Sequence, residues 1–403
     1  MKSNIEYMTG VKSLKDIDIE GKRVLIRVDF NVPMDKELNI SDDRRIREAI
    51  PTINYCIDHN PCSITLVSHL GRPNGEYIEE FSLKHIQKRL ERLLHKKVVF
   101  IEDFEASKDE IASCSLERVF LLENIRFNKG EKSNDLEFSK KLGSICDVFV
   151  NDAFGTAHRK HASTYGITEF VDNKVAGFLM KKEIEAFSKA LEKPMHPIAL
   201  VIGGSKISSK ITLLSSIMPK IDKLIIGGAM SNTFLYALGF DMQSSLYEKE
   251  FKDVAKRVLE DAREHKVKVY MPVDVVITDS IENPIDVKVI PVQDILDGFS
   301  AVDIGPATVK LFSEAVHLSS TIIWNGPMGI YEKSRFSRGT NKLAGAIVDS
   351  YAYTVVGGGD TADAVEKAGE NENFSFISTG GGASLKLLEG KVLVGFERLD
   401  RKV

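Results

Sequence analysis

The side chains best able to do chemistry stand immediately after short apolar runs, and the two halves of the chain offer different kinds. In the first half, residues 24–28 contain Arg27 and lead into Asp29-Phe30-Asn31-Val32-Pro33, and residues 64–68 lead into His69-Leu70-Gly71-Arg72-Pro73. Residues 119–122 lead into Glu123-Asn124-Ile125-Arg126-Phe127. Residues 148–150 lead into Asn151-Asp152-Ala153-Phe154, followed by Gly155-Thr156-Ala157-His158-Arg159-Lys160-His161. Arg44, Arg45 and Arg47 stand between the first two runs. Arginine and histidine gathered in this way suit a small polyanion, because a guanidinium pairs with phosphate or carboxylate through two parallel hydrogen bonds. A lone arginine is more often a solvated surface charge, but the same chemistry after four runs is not coincidence. Arg47 and Lys160 are read as solvated charges, and Arg27 as a structural partner within a sheet.

In the second half the corresponding positions carry glycine. Residues 198–202 meet Gly203-Gly204-Ser205-Lys206 and then Ser208-Ser209-Lys210, and residues 223–226 meet Gly227-Gly228-Ala229. Residues 353–356 meet Gly357-Gly358-Gly359-Asp360-Thr361, and residues 374–377 meet Ser378-Thr379-Gly380-Gly381-Gly382-Ala383-Ser384. Glycine lets a backbone approach a phosphate closely, and a following helix N-terminus adds unpaired N–H groups and partial positive charge. Asp360 supplies one hard oxygen ligand for Mg²⁺, which takes one or two carboxylates together with the phosphates of its substrate. No GxxxxGK[ST] motif occurs and no GxGxxG follows the first run, so neither a P-loop nor a dinucleotide fingerprint is present. Trp324 reads as core. No carboxylate pair, Ser-His-Asp set or metal-cysteine pattern stands out. The chemistry is therefore expected to be transfer between two bound anions, without a protein nucleophile.

The elements that must position these residues follow from hydrophobic periodicity. Further apolar runs at 98–101, 267–271 and 321–324 join those above, with amphipathic stretches between them. That alternation predicts βαβ units and parallel sheets, where ligands collect at the carboxyl ends of the strands. Residues 82–95 place Leu83, Ile86, Leu90, Leu93 and Leu94 on one helical face, with Ser82 as N-cap, and 251–265 have the same character. Residues 181–193 read as a charged helix with a thin apolar stripe of Ile184, Phe187 and Leu191, bridging two domains with its polar faces in solvent. The expected architecture is α/β: two Rossmann-like parallel-sheet, three-layer αβα domains joined by a helix and a hinge. The expected boundaries are 1–180, an interdomain helix at 181–193 and 194–390.

Composition sets the outer limits. A chain of 403 residues is long for one core and suggests two or three domains at about 150 residues each. With 54 basic against 58 acidic residues the net charge is −4, which argues against a dedicated nucleic-acid binder. No apolar run reaches the ~18 residues of a membrane span, and residues 1–10 lack the apolar core of a signal peptide. Cys56, Cys62, Cys114 and Cys146 form no CxxC and are expected to be reduced, mostly buried thiols. The expected setting is the cytoplasm, without membrane or nucleic-acid partners.

The segments quoted above resemble the phosphoglycerate kinase family over essentially the whole chain. RVDFNVP at 27–33, SHLGRP at 68–73, ENIRF at 123–127 and NDAFGTAHR at 151–159 carry the likeness in the first half. GGSK with Lys210 at 203–210, WNGPMGIYE at 324–332, GGGDTA at 357–362 and STGGGASL at 378–385 carry it in the second. The resemblance implies reversible, Mg²⁺-dependent, in-line phosphoryl transfer from 1,3-bisphosphoglycerate to ADP, giving 3-phosphoglycerate and ATP in glycolysis after hinge-bending closure, by a monomer whose tail at 391–403 packs back on the first domain. It implies that Asp29 and Asn31 hold the glycerate hydroxyl and carboxyl end. His69, Arg72, Arg126 and Arg159 would hold the distal phosphate, with Arg45 nearest the reacting carboxyl. Gly204, Ser205, Gly228, Ala301, Asn325 and Pro327 match positions around adenine and ribose, and Glu332 matches the ribose-hydroxyl partner. Lys206 and Lys210 match the phosphate lysines, Asp360 the metal ligand, and Gly358, Gly359 and Thr361 its neighbours on the phosphates. The amides of Gly381 and Gly382 match those that stabilise the group in flight, beside Arg45, Lys206 and Lys210. The chain departs from the family at Ala301 and Ala229, each replacing a glycine near adenine, and at Val394-Gly395-Phe396, which lacks a frequent Pro-Gly. Two other classes share the α/β plan. A hinged small-molecule binding protein needs no Asp-plus-Lys phosphate constellation and usually carries a secretory signal; a nicotinamide oxidoreductase needs its fingerprint after the first strand.

Overall fold

The computed structural model describes residues 3–112 and 119–402. The chain divides into two compact units, Met1–Glu185 with Val392–Val403, and Ala186–Lys391. In the first, the strands are β1 (Arg23–Arg27), β2 (Ser63–Val67), β3 (Val98–Ile101), β4 (Val119–Leu122), β5 (Val148–Asn151) and β6 (Asn173–Ala176). They form one sheet in the order β3-β4-β2-β1-β5-β6, parallel throughout. Every residue of β2, β4 and β5 is buried, as expected of a parallel sheet covered on both faces. Alternate strand residues Val24, Ile26, Ile64, Leu66, Val119, Leu121, Val148 and Val150 share a core with two helices. Helix Arg44–Asp58 contributes Ile46, Ala49, Ile53 and Cys56, and helix Lys84–Leu94 contributes Ile86, Leu90 and Leu94. The second helix starts later than its apolar pattern predicts. Ser82 precedes the N-cap, its hydroxyl accepting from Lys84 N at 3.2 Å and donating to Glu123 at 2.7 Å.

In the second unit, β7 (Ile198–Ile202), β8 (Lys223–Ile226), β9 (Lys268–Tyr270), β10 (Asp274–Thr278), β11 (Val287–Pro291), β12 (Ser300–Ile304), β13 (Thr321–Asn325), β14 (Tyr353–Val356) and β15 (Phe376–Ile377) make two sheets. The larger, in the order β15-β14-β13-β7-β8-β9, is parallel. Read from its other edge, the first strand of the unit is central and the order is the doubly wound Rossmann one, with the switch point between β7 and β13. The fold class expected from the sequence is thus borne out.

Two features were not expected. β6 closes one edge of the first sheet, and β11-β10-β12 form a separate antiparallel sheet. β11 reads Val-Lys-Val-Ile-Pro yet is mostly exposed, so its apolar residues do not mark a buried layer. β10 begins at Asp274, whose carboxylate accepts from Ala307 N at 3.0 Å and Thr308 N at 2.7 Å and so holds the start of helix Pro306–His317.

The bridging helix differs from its expected form. It runs Phe178–Leu191, and beyond Ile184, Phe187 and Leu191 it buries Leu179, Met180, Ala186, Ala190 and the carboxylate-bearing Glu183. A thin stripe with solvated polar faces is therefore replaced by a broad buried face. The cysteine expectation also needs correcting: Cys56 and Cys146 are free and buried, but Cys62 is disulfide-bonded. Cys114 lies outside the described residues. No helix among the described residues is long and apolar enough to cross a membrane.

Candidate active site

The loops after β1, β2, β4 and β5 in the first unit interlock through the residues singled out in the sequence. Asp29, nearly fully buried, accepts from Asn31 N at 3.2 Å and lies 3.5 Å from Arg45 Nη1. Asn31 ties the first loop to the second and to the following helix: its Oδ1 accepts from Gly71 N at 2.8 Å, and its carbonyl accepts from Arg45 at 2.9 Å. Arg126 is buried, donates Nη1 to the Gly71 carbonyl at 2.8 Å, and leaves Nε without a partner. Such an orphaned buried N–H is costly unless a ligand meets it.

Charge in this cluster is out of balance. Burial and the neighbouring Arg27 and Arg159 pull the Arg126 guanidinium down to about 10, even though Glu131 and Asp29 oppose them. Burial, with Arg126, Arg27 and Arg159 nearby, pushes His161 down to about 3. Crowded cations that depress one another are the condition an incoming anion relieves.

The structure thus brings Asp29, Asn31, Arg45, His69, Arg126 and Arg159 together. Arg72 is exposed at the rim of the β2 loop. Arg47, read as a solvated charge, is exposed but pairs with Asp43 at 2.8 Å. Arg27 has a larger role than the sequence suggests: it is completely buried and faces Ser163 and His69. Its partners Ser163 and Glu131 escaped notice because a Lys-Gly-Glu-Lys stretch reads as a solvated turn.

In the second unit the glycines interlace. Gly204 N donates to the Pro327 carbonyl at 2.9 Å, Gly228 N to that of Met328 at 3.2 Å, and Gly203 N to that of Asn325 at 3.0 Å. A Cβ on Gly203 would lie 2.2 Å from the Pro327 carbonyl oxygen, and one on Gly326 would lie 2.4 Å from that of Gly203. Only glycine lets the β7, β8 and β13 loops touch in this way. Beside them opens a cavity of about 570 Å³ lined by Gly204, Ser205, Gly228, Ala301, Pro327, Glu332 and Asp360, among others.

Sequence reasoning missed Ser245 and Tyr247 in that wall. Ser245 accepts from Ala301 N at 2.9 Å, so the residue that departs from the family is pinned through its backbone.

The remaining predicted residues lie behind or beside the cavity. Lys210 is buried and donates to the Gly203 carbonyl at 2.7 Å and the Asn325 carbonyl at 2.9 Å, while burial lowers it to about 7 against the pull of Asp360. Asn325 Nδ2 donates to the Gly357 carbonyl at 2.7 Å, and the Thr361 hydroxyl accepts from Gly326 N at 2.7 Å. These side chains hold the loops in place. Lys206 is exposed. Gly359 and Asp360 open helix Gly359–Lys367, preceded by Gly358 at φ 104°. Gly381 and Gly382 open helix Gly381–Leu388, and a Cβ on Gly381 would lie 3.1 Å from Gly359 N, so the two helix N-termini are neighbours. Trp324 is fully buried core, its indole N–H donating to the Gly326 carbonyl at 2.8 Å.

The arrangement offers a cationic cluster and a glycine-walled cavity whose lining includes the first residues of helices Gly228–Ala237 and Gly359–Lys367. Comparison with known proteins agrees with this reading. The phosphoglycerate kinase family model matches residues 14–391. The chain is 60% identical over 402 residues to a phosphoglycerate kinase of Wolinella succinogenes, covering 100% of both, and 56% identical over 402 residues to one of Helicobacter pylori. Among solved structures it is similar to phosphoglycerate kinase from Coxiella burnetii, with TM-score 0.86, 41% identity and coverage of 96% of this chain and 98% of that one. It is similar also to the enzyme from Pyrococcus horikoshii, with TM-score 0.83 and 30% identity over the same shares. With loops, fold and sequence agreeing over its whole length, the chain belongs to the phosphoglycerate kinase family.

Proposed function

We propose that this chain transfers a phosphoryl group reversibly from 1,3-bisphosphoglycerate to ADP, forming 3-phosphoglycerate and ATP in glycolysis. The observation that carries the reading is the cavity walled by Gly204, Gly228 and Pro327 with the Asp360 carboxylate at its edge. The first unit takes the phosphoglycerate and the second the nucleotide. Asp29 and Asn31 hold the glycerate end, and Arg45 lies nearest the reacting carboxyl. His69, Arg72, Arg126 and Arg159 hold the distal phosphate.

On the nucleotide side, Gly204, Ser205, Gly228, Ala301, Asn325 and Pro327 surround adenine and ribose, and Glu332 takes a ribose hydroxyl. Lys206, Lys210, Gly358, Gly359 and Thr361 serve the phosphates. The residues fit Mg²⁺ as a nucleotide-borne cofactor: Asp360 is an exposed single carboxylate beside the cavity, and Mg²⁺ in phosphate sites needs one or two such ligands. Bound there, Mg²⁺ would neutralise phosphate charge.

The transition state of phosphoryl transfer spreads negative charge over three equatorial oxygens, so the protein's work is positioning and charge stabilisation. Arg45, Lys206, Lys210 and the amides of Gly381 and Gly382 supply it. Lys210 must first leave the Gly203 and Asn325 carbonyls, and its low proton affinity in that position recovers beside a phosphate. Direct transfer requires the two bound anions to meet with reacting atoms ~3–3.5 Å apart and water expelled, which assigns hinge motion to helix Phe178–Leu191 and the Ser378-Thr379 strand end. A cytoplasmic monomer is the state this reading assumes.

The deciding experiment is ATP formation from ADP and 1,3-bisphosphoglycerate in a coupled assay, beside a thermal-shift panel of MgADP and NAD. The expected result is Mg²⁺-dependent ATP formation and stabilisation by MgADP alone. No ATP formation, or stabilisation by NAD, overturns the reading.

A further inference from the structure

Arg27 lies at the end of β1 with no exposure at all, in contact with a buried chain of polar groups. Its Nε donates to Ser163 Oγ at 2.8 Å, Nη1 donates to the Val28 carbonyl, and Nη2 lies 3.2 Å from His69 Nδ1. Ser163 gives its hydroxyl proton to Glu131 Oε1 at 2.7 Å and its amide to Oε2 at 2.9 Å. Glu131, also fully buried, thereby anchors the guanidinium through Ser163 and offsets its charge.

A guanidinium carries five N–H donors and no acceptor, so the bond between Arg27 and His69 can run only one way. Nδ1 must present a lone pair. The competing partner is Asp29, whose Oδ1 would demand a proton on Nδ1, but it lies 3.9 Å away, outside hydrogen-bond reach, whereas Arg27 is within it. A neutral imidazole with an accepting Nδ1 has its one N–H on Nε2.

We propose that Arg27, anchored by Ser163 and Glu131, is a positioning residue that holds His69 as the neutral tautomer with its proton on Nε2, so that the ring meets the substrate anion as an N–H donor. The inference rests on the assignment of His69 to the phosphate given above. The groups facing His69 are Arg27 from β1, Asp29 from the loop after it, Arg45 from helix Arg44–Asp58, Arg126 from the turn after β4 and His161 from the loop after β5. Burial and the surrounding cations hold His69 well below the ordinary histidine range. The donor is therefore constant across working pH, because Arg27 has no lone pair with which to accept the other tautomer.

The test is ¹⁵N-histidine NMR of the full chain without substrate, with His69→Gln identifying the signal. The expected result is an unprotonated Nδ1, a protonated Nε2 and no titration between about pH 5.5 and 8. A proton on Nδ1, or a midpoint near the unperturbed ~6.5, overturns the proposal whatever the substrate proves to be.

Kinetics supply the second arm. Arg27→Met is expected to raise KM for 3-phosphoglycerate about ten-fold with KM for ATP unchanged, and to give His69 a mixture of Nδ1–H and Nε2–H tautomers in the ¹⁵N spectrum, with Arg27→Lys, which still donates, restoring the Nε2–H form. A folded Arg27→Met that keeps the pure Nε2–H tautomer overturns the proposal. If that variant does not fold, Ser163→Ala takes its place with the same expectation. A correct tautomer with no binding of 3-phosphoglycerate would instead overturn the substrate assignment alone.

Discussion

At the scale of single residues, the two lysines of the glycine half illustrate why spacing alone does not define a role. Both come after the β7 strand within a few residues, yet Lys206 is exposed while Lys210 is buried under the loop on two carbonyls. Exposure leaves Lys206 able to track a phosphate during the reaction. Lys206→Ala is therefore expected to lower kcat by ~10²–10³, the scale of one lost transition-state donor, with KM for 3-phosphoglycerate little changed. Unaltered turnover in the coupled assay would remove Lys206 from the catalytic set. Sequence could nominate both lysines, but which one turns inward depends on the Gly203 and Asn325 carbonyls, contributed by two strands far apart in the chain.

At the scale of elements, the start of helix Phe178–Leu191 rests on a buried carboxylate. Asp152 Oδ1 accepts from Met180 N at 3.2 Å while Oδ2 has no hydrogen-bond partner, and burial raises the group to about 7 despite the Thr52 hydroxyl and the Met180 and Leu179 amides. Linkage sets the sign. Between the unfolded value near 3.8 and the folded value near 7 the folded state holds the extra proton, so stability falls as pH rises through that window. Asp152→Asn keeps an acceptor and removes the charge. Its urea midpoint is expected to exceed the parent's slightly at pH 5 and by more at pH 8, where the parent must carry an ionised carboxylate in the interior. A lower midpoint at pH 8 would show that the anion itself holds the helix. Asp152 was legible in the sequence only as part of a strand-end run; its work on a helix twenty-odd residues later depends on how the chain returns.

At the scale of the whole molecule, the last residues belong to the first unit although they come after the second in sequence. Gly395 N donates to the Ala157 carbonyl at 2.8 Å, Asn151 Nδ2 donates to the Gly395 carbonyl at 3.2 Å, and Asp400 N donates to the Lys174 carbonyl at 2.8 Å. Leu393, Phe396 and Leu399 are buried there. A Cβ on Gly395 would lie 3.0 Å from Ala157, so the Val-Gly-Phe turn at a position where the family often has Pro-Gly still keeps the glycine that the contact needs. Deleting residues 393–403 removes three buried apolar side chains, worth about 5 kcal/mol together. Calorimetry is expected to show a transition lowered by well over ten degrees, or split in two. An unshifted single transition would mean that the tail adds nothing to the first unit.

The sequence alone determined the chemistry on offer and the class of fold. Apolar runs of strand length alternating with amphipathic stretches dictate parallel sheets, and the side chains just past each run dictate which anion its loop can meet. Those are local properties, set by side-chain type and period. Tertiary structure decided the rest. It placed the antiparallel sheet with its mostly exposed β11, the broad buried face of the bridging helix, the inward turn of Lys210, and the polar series from Glu131 through Ser163 and Arg27 to His69. Each of these depends on contacts between residues distant in sequence, where burial turns an ordinary polar side chain into one whose partners, charge and proton are dictated by its neighbours.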